Sequence, residues 1–305
     1  MTRDARARGL TIRVGIGPPA GLRDVPDLWA LVAALEELDY DSLWLSDNAT
    51  RPGLATLPAL AAVAARTERL KLGMSVLTLP PRNPVILARE LATIDALSGG
   101  RLLPAGGLGV DLPAERAALG VAGPERVARL EESVHVLRLL WGGEKVSWEG
   151  RFCTLDGVRL DPAPVRPKLE LWLGGRAPVA LRRIGRIADG WLASFVSPDE
   201  LAAGIDVIRA AAAEASRTID EDHYGTTLFL AATEADAAGY PERLRALRPD
   251  VPVDDTLAVG AEASRALLER FVAAGASKFV AIPVARDVRA WLGELRTEVV
   301  APVEG

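Results

Sequence analysis

At 305 residues the chain is long enough for one large α/β barrel or two smaller domains, and length alone does not choose. Hydrophobic residues make up 49% and charged residues 25%, enough to bury a sizeable core and too apolar for a disordered chain. The net charge of -5 argues against a nucleic acid partner, since a phosphate backbone demands a dense cationic face.

Residues 1–9, MTRDARARG, are polar, lack the apolar core of a signal peptide and are expected to be a flexible terminus. Residues 11–17 read as a first strand, followed by a helix with Leu28, Leu31, Val32, Leu35 and Leu38 on one stripe. A second strand is expected over 42–46 and an Ala- and Leu-rich helix over 56–67. Residues 70–76 form a third apolar run, and Asn83 and Pro84 supply the N-cap and first position of a helix that Ser98-Gly99-Gly100 ends. The fourth strand, 101–106, contains Pro104, which removes a ladder hydrogen bond and predicts a bulge. Residues 107–123 read as a long loop before a helix over 125–141.

A hairpin is expected over 145–155 around Glu149-Gly150. The strand-helix rhythm then resumes: strands at 170–173, 190–194, 226–232 and 278–283, with helices from Pro178, over 199–217, near 241–247, over 261–274 and over 287–299. Eight strands, each followed by a helix, predict a single (β/α)8 TIM barrel over 10–305, with the hairpin as an insertion and extended loops at the C-terminal face.

In such barrels ligands meet the C-terminal strand ends. That rule selects Gly17, Asp47, Asn48, Ser75, Val76, Thr78, Gly107, Gly109, Asp111, Gly174, Gly175, Arg176, Ser194 and Phe195. The loop Gly174-Gly175-Arg176-Ala177 ahead of Pro178 reads as an anion site, because glycines allow close backbone approach, the helix start offers unpaired N–H groups and Arg176 adds charge. Gly15 to Ala20 matches the dinucleotide fingerprint G-x-G-x-x-A only superficially, since Pro18 and Pro19 remove two of the N–H groups that motif needs.

Two histidines far apart and one cysteine leave a zinc-type metal almost no ligands, so no metal is expected. Cys153 reads as a packing residue, His135 as a packing or surface residue, and His223 as ordering the acidic turn before it. None of the four lysines stands at a strand's C-terminal end, which excludes a Schiff-base aldolase. No apolar run nears the ~20 residues that span a bilayer, so the expectation is a cytoplasmic protein with no membrane and no nucleic acid partner.

The blocks SLWLSDN (42–48), NPVILARELATIDALSGGRLLPAGGLG (83–109), LEESVHVLRLLW (130–141), SWEGRFCTLDGVRLDPAPV (147–165) and LWLGGRAPVALRRIGRIADGW (171–191) together resemble the luciferase-like family of flavin- and deazaflavin-dependent oxidoreductases. The likeness covers most of residues 10–300 and is greatest to the branch dependent on coenzyme F420. It implies hydride transfer between that coenzyme and a small organic substrate. It further implies a cofactor phosphate at Gly174 to Ala177, a cis peptide at Ser75-Val76 behind the ring, and ring or ligand contacts from Thr78 and Asp47, beside Gly107 and Gly109. The family equally implies FMN as an alternative, in a monooxygenase fed by a separate flavin reductase, and it admits a homodimer.

Two departures from the family stand out. Many relatives carry His where this chain has Asn48, and an amide cannot act as a general base. Some carry Glu where this chain has Val110, with Asp111 next door. Asn48 and Asp111 are therefore the catalytic candidates, and a catalytically silent binding protein stays open as a third reading.

Overall fold

The structure, a computed structural model, describes residues 10–19, 22–47, 49–50, 52–110, 112–121 and 123–304. The expected flexible terminus at 1–9 and both catalytic candidates, Asn48 and Asp111, lie outside the described residues. The chain forms two compact units, Met1–Trp44 with Gly174–Gly305, and Leu45–Leu173.

In the first unit, strands Gly190–Ser194, Tyr224–Ala231, Lys278–Val284 and Arg13–Ile16 pair side by side, all parallel, with Trp191 beside Tyr224, Phe229 beside Ile282 and Val14 beside Phe279. Their near-continuous apolar runs suit strands buried on both faces. A short strand, Leu257–Val259, pairs with Tyr224–Ala231 and was not foreseen; three residues are too few to show a period. Helix Val25–Glu37 starts at Asp24, whose carboxylate accepts from the N–H of Asp27, and buries Leu28, Leu31, Val32 and Leu35. Helix Pro198–Glu214 opens with a capping box between Ser197 and Glu200. At the C-terminus, Val288–Glu294 runs into a π-helical stretch, Leu295–Val300, and Glu304 accepts from the N–H of Val14 at 3.0 Å.

In the second unit the third and fourth strands are each broken in two. Lys71–Met74 and Leu77–Thr78 pair with Leu102–Leu103 and Ala105–Gly107. Pro104 interrupts the fourth strand as expected, but the extra residue belongs to the third: Gly73 pairs with Leu103 and Leu77 with Gly106, so the third strand takes one residue more across the break. The peptide bond between Ser75 and Val76 is cis. Helix Pro84–Leu97 starts as the sequence predicts, with Asn83 Oδ1 accepting from the N–H groups of Val85 and Ile86.

The segment 107–123, read as loop, contains a helix, Pro113–Leu119, which Gly120 ends at φ 64. The antiparallel hairpin is longer than expected, Val146–Glu149 with Thr154–Val158, and forms a sheet of its own. The chain leaving it is tied down by fully buried Asp95, which accepts from the N–H of Val165 at 2.9 Å and pairs with Arg166 at 3.3 Å. Among the described residues no helix is long and apolar enough to cross a membrane.

Candidate active site

In the second unit the expected site residues sit at the ends of strands two, three and four. Both backbone groups of Ser75 are engaged: its N–H donates to Leu45 O at 2.9 Å and its carbonyl accepts from Ser46 Oγ at 3.2 Å. Gly107 leaves room for Val76, since a Cβ there would lie 2.8 Å from Val76 Cγ2. Gly109, at φ +75, does the same for Thr78, whose Cγ2 would be 2.6 Å from an added Cβ. These glycines set where Val76 and Thr78 stand, a finer role than open backbone for a ligand.

Asp47 holds the next loop together. Its Oδ2 accepts from the N–H of Thr78 at 3.0 Å, Arg82 Nη2 reaches both carboxylate oxygens at 3.1 and 3.2 Å, and Arg82 Nε donates to Thr78 O at 3.1 Å. A carboxylate has about four acceptor positions, so these bonds leave room for a further donor.

The sequence reading missed Arg82, Arg126 and Glu115. Arg126 donates to the carbonyls of Leu108 and Gly109 at 2.8 and 2.9 Å. Glu115, only 4% exposed, accepts from the N–H of Ala49 at 3.2 Å and closely from the hydroxyl of Thr50. Pro113 at the start and Gly120 at the end were the available signal for the helix that carries Glu115. A cleft of about 230 Å³ in this unit adjoins this loop through Arg82 and runs between Pro80–Pro84 and Arg129, Glu132 and Phe152.

In the first unit, the loop from Gly174 to Ala177 precedes helix Pro178–Ile187. Its N-cap, Ala177, makes no side-chain cap bond, and Arg176 and Ala177 are exposed. Gly175 has φ +143, and a Cβ there would lie 2.9 Å from Ala180 Cβ. Its carbonyl accepts from Trp191 Nε1 at 2.7 Å, which fixes the loop from behind. A bare helix start, close backbone and one arginine suit a phosphate group.

Other readings resolve in packing terms. Gly15 has no pyrophosphate duty to explain it: a Cβ would stand 2.5 Å from Trp44 Nε1, so the glycine admits the indole, which donates to Ser42 Oγ at 2.9 Å. His135 is exposed and lies tilted against Trp148, with centroids 4.3 Å apart and planes at 49°, and Cys153 is half-buried with its thiol pKa pushed up, first by burial.

At the end of the sixth strand Phe195 adopts φ 57, and its carbonyl accepts closely from Arg248. Arg248 also pairs with Glu200 at 2.7 Å and with Asp250 at 2.8 Å. Those bonds lower the Asp250 pKa from 3.8 to about 2, the hydrogen bond from Arg248 leading, with the charge of Arg176 adding to the same effect.

Parallel strands followed by helices, with polar groups and shaped glycines at the strand ends, define an α/β fold of the TIM-barrel class. Residues 10–279 match the family described as luciferase-like monooxygenase, and the chain belongs to it. It is 35% identical over 223 residues to an F420-dependent glucose-6-phosphate dehydrogenase of Nakamurella multipartita, covering 69% of this chain and 65% of that relative. A dehydrogenase of the same description from Amycolatopsis mediterranei is 29% identical over 279 residues, 80% of this chain and 82% of that one. The chain thus spans about two thirds, 65%, of the Nakamurella relative. In fold it is similar to the monooxygenase RslO1 of Streptomyces bottropensis, at TM-score 0.81 and 21% identity over 95% of this chain and 99% of that one. It is equally similar to an F420-dependent secondary alcohol dehydrogenase in complex with an F420-acetone adduct, at TM-score 0.81 and 19% identity over 97% of this chain and 100% of that one.

Proposed function

We propose that this chain is an oxidoreductase that transfers a hydride between coenzyme F420 and a small organic substrate. The observation that carries the reading is its 35% identity to a dehydrogenase described as F420-dependent. The residues present fit such a cofactor: the Gly175 cradle, which a Cβ would fill, suits its phosphate, and Val76 and Thr78, seated by Gly107 and Gly109, suit its ring.

When bound, the coenzyme supplies the hydride donor or acceptor. The chain's own part is to bind and orient. Arg176 and the backbone from Gly174 to Ala177 hold the phosphate, Ser75, Val76 and Thr78 back the ring, and Asp47 fixes Thr78. Asn48 orients ring or substrate through its amide, which donates and accepts but carries no proton near neutral pH. Asp111 and Asp47 are the candidates for proton transfer, with solvent as the plain alternative. Asn48→Ala is expected to lower turnover with its pH dependence unchanged, and Asp111→Asn to change the pH profile. Unchanged turnover in Asn48→Ala removes that residue from the reacting centre.

A second reading, an FMN-dependent monooxygenase fed by a separate flavin reductase, is supported by the match to the family described as luciferase-like monooxygenase. Titration of the purified protein with each cofactor, followed by ring absorbance and single-turnover reduction, separates the two. We keep a cytoplasmic setting and a homodimer within the reading, tested by cell fractionation and light scattering.

A further inference from the structure

The sixth strand ends in a residue under backbone strain. Phe195, a non-glycine at φ 57, holds a conformation that L side chains rarely adopt. One arginine secures it: Arg248, its side chain 10% exposed, donates to the Phe195 carbonyl and pairs with Glu200, in the first turn of helix Pro198–Glu214, and with its neighbour Asp250. A buried cation held by two carboxylates and aimed at the Phe195 carbonyl fixes that backbone, and with it the direction of the Phe195 ring.

That ring opens a row of aromatics. Phe195 and Phe229 have centroids 6.0 Å apart, and Phe229 and Tyr240 5.6 Å. All three are half-buried, over the buried base of Ala231, Ala237, Leu244, Leu257 and Val284. Along the seventh strand Thr226, Leu228 and Leu230 are buried while Thr227 and Phe229 are partly exposed, so Thr227 and Phe229 share one face. Ser194 Oγ lies 3.5 Å from Thr227 Oγ1, and Ile282, also partly exposed, pairs with Phe229 on the eighth strand. The face at these C-terminal strand ends, where barrel ligands bind, is thus an aromatic and aliphatic wall with two hydroxyls at its foot.

We propose that Phe195, Phe229 and Tyr240 form the substrate subsite, that it takes the apolar, ring-bearing body of an uncharged ketone or secondary alcohol, and that Arg248 is the positioning residue for Phe195. This rests on the hydride-transfer reading. In the ketone direction the carbonyl carbon gains the hydride and its oxygen a proton, the two electrons coming from the reduced coenzyme. A sugar phosphate is a poor match for the wall, because its hydroxyls and dianion would lose water without gaining partners from phenyl rings.

The probes are 2-acetonaphthone and glucose 6-phosphate, titrated by calorimetry into wild-type protein and into Phe229→Ala, Phe195→Gly and Arg248→Met, with KM and kcat read from coenzyme oxidation. Phe195→Gly removes the ring without adding backbone strain, since glycine accepts the left-handed φ. Wild type is expected to bind the naphthyl ketone and not the sugar phosphate. Phe229→Ala and Phe195→Gly are expected to weaken ketone binding about tenfold or more, raising KM with kcat nearly kept, and Arg248→Met to follow Phe195→Gly. Ketone binding equal in wild type and both ring variants, or binding of glucose 6-phosphate in its place, overturns the subsite; a fall in thermal stability alone would make the row a small core beneath helix Tyr240–Leu247. Ketone binding that depends on Phe229 in a protein that takes up no coenzyme F420 would sink the cofactor reading and leave the subsite standing.

Discussion

Arg82 and Asp47, 35 residues apart, are bound to each other at 3.1 and 3.2 Å while both hold the backbone of Thr78. The pair is partly exposed, 31% and 15%, so solvent screens it and its Coulomb share is small. What counts is that removing Asp47 leaves the Thr78 N–H and a guanidinium without their acceptor. Asp47→Ala should cost about 1–3 kcal/mol in denaturant unfolding and weaken cofactor binding through the displaced Thr78. Arg82→Met should give a similar loss, with the double variant less than additive. A change in affinity with no change in stability would make Asp47 a ligand contact alone.

Gly107 and Val76 give a rescue test. An added Cβ would stand 2.8 Å from Val76 Cγ2, so Gly107→Ala should destabilise by about 1–3 kcal/mol and lower cofactor affinity. Adding Val76→Ala removes the obstructing methyl and should restore most of the stability. Failure of the rescue would trace the glycine's value to backbone freedom instead.

For the Gly175 loop, any side chain meets both φ +143 and Ala180 Cβ at 2.9 Å. Gly175→Val should therefore weaken a phosphorylated cofactor far more than its dephospho form, read by fluorescence titration. Equal losses for both forms would mean the glycine serves the turn alone.

The Asp250 pKa is lowered from 3.8 to about 2 on folding, mainly by the hydrogen bond from Arg248. A depressed carboxylate stabilises the fold above its unfolded pKa, and that share is lost as pH falls through the folded one. Between pH of about 4 and about 2, wild type should lose thermal stability more steeply than Asp250→Asn. Parallel curves for the two proteins would show that Asp250 is not linked to folding.

Much of this was legible because it is local. Asn83-Pro84 started a helix, Ser98-Gly99-Gly100 stopped it and Pro104 broke a strand, each through its own backbone chemistry. Gly174 to Ala177 stood out for the same reason as a glycine turn ahead of a helix starting at Pro178. Helix Pro113–Leu119 escaped because its residues are mostly exposed and leave no apolar stripe to read, although Pro113 and Gly120 bracket it. The pairings Asp47 with Arg82, Glu115 with Thr50 and Arg248 with Phe195 escaped for another cause. They join residues 35 or more apart, and only the folded chain brings them together. At Gly15 the sequence offered a fingerprint that Pro18 and Pro19 already spoke against, and the structure fills its space with Trp44.

The most direct test of the central claim is thermal unfolding of the purified protein with coenzyme F420 or FMN at matched concentrations. A ligand held only by the native state stabilises by about 2.7 kcal/mol at a hundredfold excess over its Kd, so the midpoint should climb steadily with coenzyme F420 and barely move with FMN. A midpoint that rises equally or more with FMN, or with neither, would contradict the account.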